Sequence, residues 1–600
     1  MARLALLSTS DTDLLSARAS GADWLLANPA RLEVDGLTDL LAGVDLVVVR
    51  LLGTPRSWQQ GFDTVLGLDV PVIVLGGEQT PDASLMELST VPVGTAAETH
   101  AYLAQGGPAN LANLHAFCSD TVLLTGAGFE PPAVVPVWGW SERPGFETVA
   151  AQPPQPPGEA PVSKPPMRIG VLFYRAHETS GNAGFAHALA DAIDATGEAV
   201  GLPVYSASLR SAPEELYDAL GTLDALIVTV LAAGGSAPGT ASAGGDDEAW
   251  DVHRIAALDI PVLQGLCLTS SREEWAAGDD GVTPLDSANQ IAIPEFDGRI
   301  ITVPFSFKEL DPDGLPHYVA DVERAARVAG IAVGHARLRR LAPGERKIAL
   351  MLSAYPTKHS RVGNAVGLDT PVSAIRLLRK LRDAGYDLGE PGGEITRFLD
   401  LEDDTEAGNG LIHALIAAGG QDEEWLTSAQ LTDSHVRIGV EDYNAWTADL
   451  PEDLRSGIEE AWGPAPGSLF VAPSPEGGSQ EIVLAPLRAG TVVLLIQPPR
   501  GFGENPVAIY HDPDLAPSHH YLAAYRWVRN GWGAHAVVHL GKHGSMEWLP
   551  GKNAALSASC ATDAAIADLP LIYPFLVNDP GEGAQAKRRA HATIVDHLIP

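Results

Sequence analysis

Cysteine is nearly missing: Cys118, Cys267 and Cys560 are the only three in 600 residues and form no CxxC. That excludes a disulfide framework and a structural zinc knuckle, and fits a reducing cytoplasm. Positive charge is thin as well, with 39 Lys+Arg against 76 Asp+Glu for a net −37 and lysine at only eight positions. A field of that sign repels phosphates and anionic lipid, which excludes a general nucleic-acid binder. Long apolar runs are absent too. Segments 46–52 and 492–496 have the length of strands, far below the ~20 residues of a membrane span. The amino end, MARLALLSTSDTD, turns polar too early for a signal-peptide core. What remains is a globular composition, 45% hydrophobic and 19% charged, in a chain too long for one ordinary domain.

Familiar catalytic signatures are also missing. Gly541-Lys542 and Gly551-Lys552 hint at a phosphate loop, but Ala536 and Met546 stand where its first glycine belongs, and His543 and Asn553 where its Ser/Thr belongs. There is no H-E-x-x-H and no G-x-S-x-G. Gly501-Phe502-Gly503 has Pro506 in place of a third glycine, so zincin, serine hydrolase and dinucleotide-binding readings lack support.

The pattern predicts an α/β fold of several doubly wound lobes with parallel sheets, of the periplasmic-binding-protein kind, plus a helical insertion. Residues 1–150 form a head domain with strands at 45–49, 70–75 and 120–124. Seven prolines in 151–166 mark a linker. The first lobe spans 167–340, with a strand at 168–174, a loop bearing Gly181-Asn182, a helix at 185–196, strands at 224–230 and 260–266, and a hairpin region at 291–303. The second lobe, 341–600, repeats the plan with a strand at 347–353, a loop ending in Gly363-Asn364 and a helix at 372–384. It carries the insertion at about 400–470, strands at 481–484, 491–496 and 571–577, and a final helix at 584–598. Ligand crevices of such lobes lie at the carboxyl ends of the strands.

Histidine is concentrated in one stretch of the second lobe. Six of 18, at 511, 519, 520, 535, 539 and 543, fall within 33 residues, where even scatter gives about one. His539, His543 and Glu547 are spaced four apart among turn-forming glycines. Two imidazoles and a carboxylate suit metal binding or proton transfer. The alternative is a buried core histidine, a turn histidine and a carboxylate favoured at a helix start. Arg500 and Arg361, each beside glycine, are candidate clamps for an anionic ligand or ordinary loop salt bridges.

The run HLGKHGSMEWLPGK (539–552) resembles the signature of the large subunits of tetrapyrrole metal chelatases, the family that holds the CobN-type cobaltochelatases and the large subunits of magnesium chelatase. The resemblance extends in order through GNAVGLDTP (363–371), QPPRG (497–501), YHDPD (510–514), His519-His520-Tyr521 and YPFLVNDPGEG (573–583), with Arg50-Leu-Leu-Gly53 the nearest match in the head. HHYLA, GKHG and AKRRAH (586–591) resemble the cobalt branch more closely. Family members run well beyond this length, so the chain resembles an amino-terminal half.

The resemblance implies ATP-dependent insertion of Co²⁺ into hydrogenobyrinic acid a,c-diamide in aerobic cobalamin synthesis, by a cytoplasmic complex. ATP and Mg²⁺ would sit on two AAA+-type partner subunits. It implies His539, His543 and Glu547 as metal ligands or proton acceptors, with Arg500, Arg361, Asn364, His519, His520 and Lys542 contacting the ring. The alternatives are insertion of Mg²⁺ into protoporphyrin IX and a tetrapyrrole carrier without turnover.

Overall fold

The computed structural model describes residues 2–53, 55–78, 80–126, 128–143, 165–231, 252–312, 314–353, 364–365, 368–419, 427–434, 436–501, 512–541, 544–576 and 580–597. The architecture is α/β, with parallel sheets wrapped by helices. In the head, β1 (Leu4–Ser8), β2 (Trp24–Ala27), β3 (Leu46–Leu51) and β4 (Val72–Gly76) align in parallel in the order β2-β1-β3-β4. Alternate residues serve opposite cores: Leu4 and Leu6 pack on one face, Ala5 and Leu7 on the other. This is why the strands read as unbroken apolar runs. The strand predicted at 120–124 is instead the end of the helix Pro108–Thr121 and the turn after it. Leu111, Leu114 and Cys118 recur at helical spacing and bury together, overriding the β-branched tail.

The second sheet has the order β11-β10-β9-β8-β6-β7-β5. It is built from β5 (Trp138–Trp140), β6 (Met167–Tyr174), β7 (Ala199–Ser206), β8 (Ala225–Val228), β9 (Val262–Leu268), β10 (Ile300–Leu310) and β11 (Pro316–Ala320). Only the two edge strands run antiparallel. The hairpin expected at 291–303 lies later, between β10 and β11. Residues 287–296 are helical, π-wound over Ser287–Ala292 and α-helical over Ile293–Phe296, with Pro294 inside the continuous run.

The third sheet is centred on β12 (Ile348–Leu352). Beyond a two-residue pairing of β13 (Asn364–Ala365) with β14 (Leu368–Asp369) and the helix Thr370–Asp383, which packs on this sheet, the chain reaches the insertion expected at about 400–470, whose small sheet also takes up the strand expected in the main sheet at 481–484. There, helices surround a small antiparallel sheet of β15 (Val436–Ile438), β16 (Val471–Pro473) and β17 (Gln480–Leu484). The main sheet is completed by β18 (Leu487–Ala489), β19 (Val492–Ile496), β20 (Ala536–Leu540), β21 (Leu571–Leu576) and β22 (Thr593–His597), in the order β18-β19-β12-β20-β21-β22. The predicted final helix divides. Pro580–Arg589 is helical, whereas Thr593-Ile594-Val595, β-branched and preceded by His591 at φ 41°, forms an edge strand parallel to β21.

Both larger sheets share one topological device. The helix after β12, Thr370–Asp383, packs on one face, while the helix after the adjacent β19, His519–Arg526, packs on the other. In the second sheet the helix after β6 lies on one face and those after its neighbours β7 and β8 on the opposite one. Such switch points open a crevice at the carboxyl ends of the strands. Beside β6 the head covers that end: Arg175 donates to the carbonyls of Gln105, Val135 and Pro136 at 3.0–3.1 Å, and Ser16 Oγ to Thr179 O at 2.8 Å. Among the described residues no helix is long and apolar enough to cross a membrane.

Candidate active site at the carboxyl edge of the third sheet

Strands β12, β19, β20 and β21 end side by side, and each runs directly into one of the blocks singled out above. Residues 353–371 follow β12, 497–514 follow β19, 541–552 follow β20 and 577–583 follow β21. Parallel pairing therefore brings the points where these blocks begin, up to about two hundred residues apart in the chain, to one end of the sheet.

His539 sits on β20 and is 3% exposed; Glu547, on the short turn Met546–Trp548, is 1% exposed. Their polar atoms converge on Gly544. A Cβ there would lie 2.8 and 3.2 Å from the two Glu547 carboxylate oxygens and 3.3 Å from His539 Nδ1. Glycine at 544 thus leaves room for the two functional groups to border one spot. The Gly544 N–H donates to Glu547 Oε1 at 3.2 Å, and the Tyr573 hydroxyl lies 3.5 Å from the same oxygen. Burial holds His539 neutral, its pKa pushed down to about 3. Burial, aided by the Glu547 charge, also drives the Tyr573 phenol well above its usual range.

Behind His539 lies a polar network whose members, Tyr525 apart, come from three of the motif blocks: Gln497 opens 497–501, Tyr521 follows the histidine pair, and Ser545 lies in 539–552. The Tyr525 hydroxyl meets His539 Nε2 at 3.1 Å and accepts from Gln497 Nε2 at 2.8 Å. Gln497 Oε1 accepts the Ser545 N–H at 3.3 Å, and Tyr521 shares a 3.0 Å hydrogen bond with Ser545 Oγ. Every member is buried, so the network fixes the imidazole without solvent. Its other sequence signal is the spacing of Tyr521 and Tyr525, four apart on one helix.

The other predicted residues are distributed differently. His519 spends both ring nitrogens on the insertion, with Nδ1 2.9 Å from the Tyr443 hydroxyl and Nε2 2.8 Å from Gly463 O. His520 stacks on Phe470 at 4.2 Å, and burial pushes its pKa down to about 3. Neither joins His539. Arg500 is fully buried, its Nη2 on the carbonyls of Asp512 and Leu515. His535, at the opposite end of β20, accepts the Lys347 N–H on Nδ1 at 3.0 Å. Arg361, Lys542 and His543, and the Asn364 side chain, lie outside the described residues. Among the described residues no group of three His, Cys, Asp or Glu could hold a metal.

The profile of the CobN/magnesium chelatase family matches residues 100–600. The aerobic cobaltochelatase subunit CobN of Pseudomonas aeruginosa is 35% identical over all of this chain and 47% of its own length. The large (H) component of magnesium chelatase from Chlorobaculum parvum is 32% identical over 61% of this chain and 26% of its own. The solved structure of the catalytic subunit of cobaltochelatase from Mycobacterium tuberculosis superposes with a TM-score of 0.86 at 56% identity, covering 100% of this chain and 48% of that one. The chain therefore spans about half the length of these cobaltochelatase relatives.

Proposed function

The chain belongs to the CobN/magnesium chelatase family, and from that premise we propose that it is the ring-binding, metal-inserting portion of a cobaltochelatase. The substrates are Co²⁺ and a corrin-ring precursor, hydrogenobyrinic acid a,c-diamide, and the driving force is ATP hydrolysed by AAA+-type partner subunits in the cytoplasm. The observation that carries this reading is the convergence of His539 Nδ1 and the Glu547 carboxylate on Gly544, just past the carboxyl end of β20. Insertion requires that ring N–H protons leave and that the ion shed water in a shielded place. A buried carboxylate can accept a proton or ligate the ion as its hydration is stripped. A neutral imidazole, oriented by Tyr525, presents a ring nitrogen beside it. His543, four residues from each, joins them as the remaining ligand, and Lys542, Arg361 and Asn364 contact the ring periphery. Imidazole in the donor set suits Co²⁺ better than Mg²⁺, which prefers all-oxygen ligation.

The test uses the full-length protein with its partners, ATP and Co²⁺. Glu547→Gln and His543→Ala are expected to abolish the metal-ring absorption spectrum while ring affinity, followed by quenching of tryptophan fluorescence, changes by less than about tenfold. Equal loss of ring binding would assign both residues to architecture. Tighter binding of protoporphyrin than of the corrin diamide would favour magnesium, and absence of insertion by the intact wild-type complex would leave a carrier.

A further inference from the structure

Two consecutive arginines leave the end of the helix Pro580–Arg589 for different destinations. Arg588 makes a bidentate pair with Glu295, Nε at 3.0 Å and Nη2 at 2.8 Å, just ahead of β10 in the second sheet's lobe. Arg589 turns into the third sheet's lobe and is 8% exposed. Its three nitrogens donate to the carbonyls of Glu547 at 2.5 Å, Leu549 at 2.8 Å and Lys552 at 3.0 Å. A buried guanidinium is costly, and among the described residues no carboxylate hydrogen-bonds to this one. Its planar fork instead fixes the curvature of the turn that presents Glu547. On the side of this helix facing β10 lies a cavity of about 400 Å³, lined by Glu295, Arg299, Gly583, Lys587 and Ile594. The helix is thus tied at one end to both lobes with open space along its flank.

We propose that this helix is a strut between the lobes, in which Arg589 is the positioning residue for Glu547 and the Arg588–Glu295 pair couples it to the first lobe. A displacement of one lobe against the other then moves the Glu547 turn with it, seating or withdrawing the carboxylate. The proposal rests on the role given to Glu547 above. A two-point ion pair suits the task because it transmits direction as well as distance.

The experiment measures cobalt insertion and ring binding in the full-length, partner-loaded enzyme. Glu295→Gln and Arg588→Gln are each expected to lower kcat about tenfold with KM and ring affinity within about twofold, the signature of an interaction that acts on the insertion step. The double reversal Glu295→Arg with Arg588→Glu should recover kcat to within about threefold of wild type, as a coupled pair requires. Arg589→Ala should lose about a hundredfold in kcat and regain part of it in millimolar guanidinium chloride. If that variant fails to fold, the less buried Arg588–Glu295 pair carries the test. Unchanged kcat in the single variants, or a reversal no better than either, overturns the strut. Glu547→Gln serves as the control: insertion that survives it sinks the site assignment, whereas its loss beside an unaffected Glu295→Gln sinks the strut alone.

Discussion

Gly544 shows how much rests on an absent side chain. Its neighbours within 3.3 Å of a Cβ are the Glu547 oxygens and His539 Nδ1. Alanine there would displace the Glu547 carboxylate and crowd the His539 ring, two side chains, without colliding with backbone. Gly544→Ala is therefore expected to keep its melting temperature to within a few degrees while losing insertion activity by at least about a hundredfold, comparing thermal unfolding with the cobalt-ring assay. The sequence signal that points to His539 and Glu547 is the clustering of histidine and the position of His543, four residues from each. Gln497 and Tyr573 each open a motif block and Tyr525 belongs to none, but that the three meet around His539 and Glu547 was not legible, because they come from separate strands and a helix and meet only once the sheet is assembled. The adjacent pair His519 and His520 show what spacing alone does not carry: both rings meet residues of the insertion, Tyr443 and Gly463 for His519 and Phe470 for His520, not His539.

At the scale of elements, Lys552 is the clearest case of a motif residue taken up by packing. Its ammonium, 6% exposed, donates to Trp275 O at 2.8 Å, Ala276 O at 3.3 Å and Gly278 O, around the carboxyl end of the helix Arg272–Ala277. Those carbonyls carry the negative end of the helix dipole. Lys552→Met keeps the stem and strands the acceptors, so it should cost about 2 kcal/mol, read as a lower urea midpoint with an unchanged slope. Strand and helix positions in the doubly wound lobes were readable because parallel strands are continuous apolar runs and their helices carry strong periodicity. Predictions failed where a short β-branched stretch adjoined a helix, at 120–124 and 593–597. Local pattern cannot decide there between a helix end and a new strand, and burial against distant residues settles it.

At the scale of the whole molecule, several histidines are held neutral far from the site. Burial lowers His177 and His591 to about 4 and His520 to about 3; burial, with the nearby His591, lowers His335 to about 3. Among the described residues, His335 Nε2 and His591 Nδ1 are buried without hydrogen-bond partners. The unfolded chain binds these protons below the ordinary histidine value of 6.5, so their contribution is complete above that pH and drains away as pH falls toward 4. Urea midpoints should be flat from pH 7 to 8 and decline steadily below about 6.5. A midpoint independent of pH from 7 to 4.5 would contradict this burial.

The head's grip on the carboxyl end of β6 has a numerical corollary. Two sheets share the geometry that makes a pocket, yet in one the chain's own amino-terminal portion already acts as the stopper. Titration of the intact chain with corrinoid should accordingly saturate at a single equivalent, and a fragment trimmed to begin at Val137, which keeps β5 and removes the carbonyls on Arg175, is the version in which a second equivalent would register.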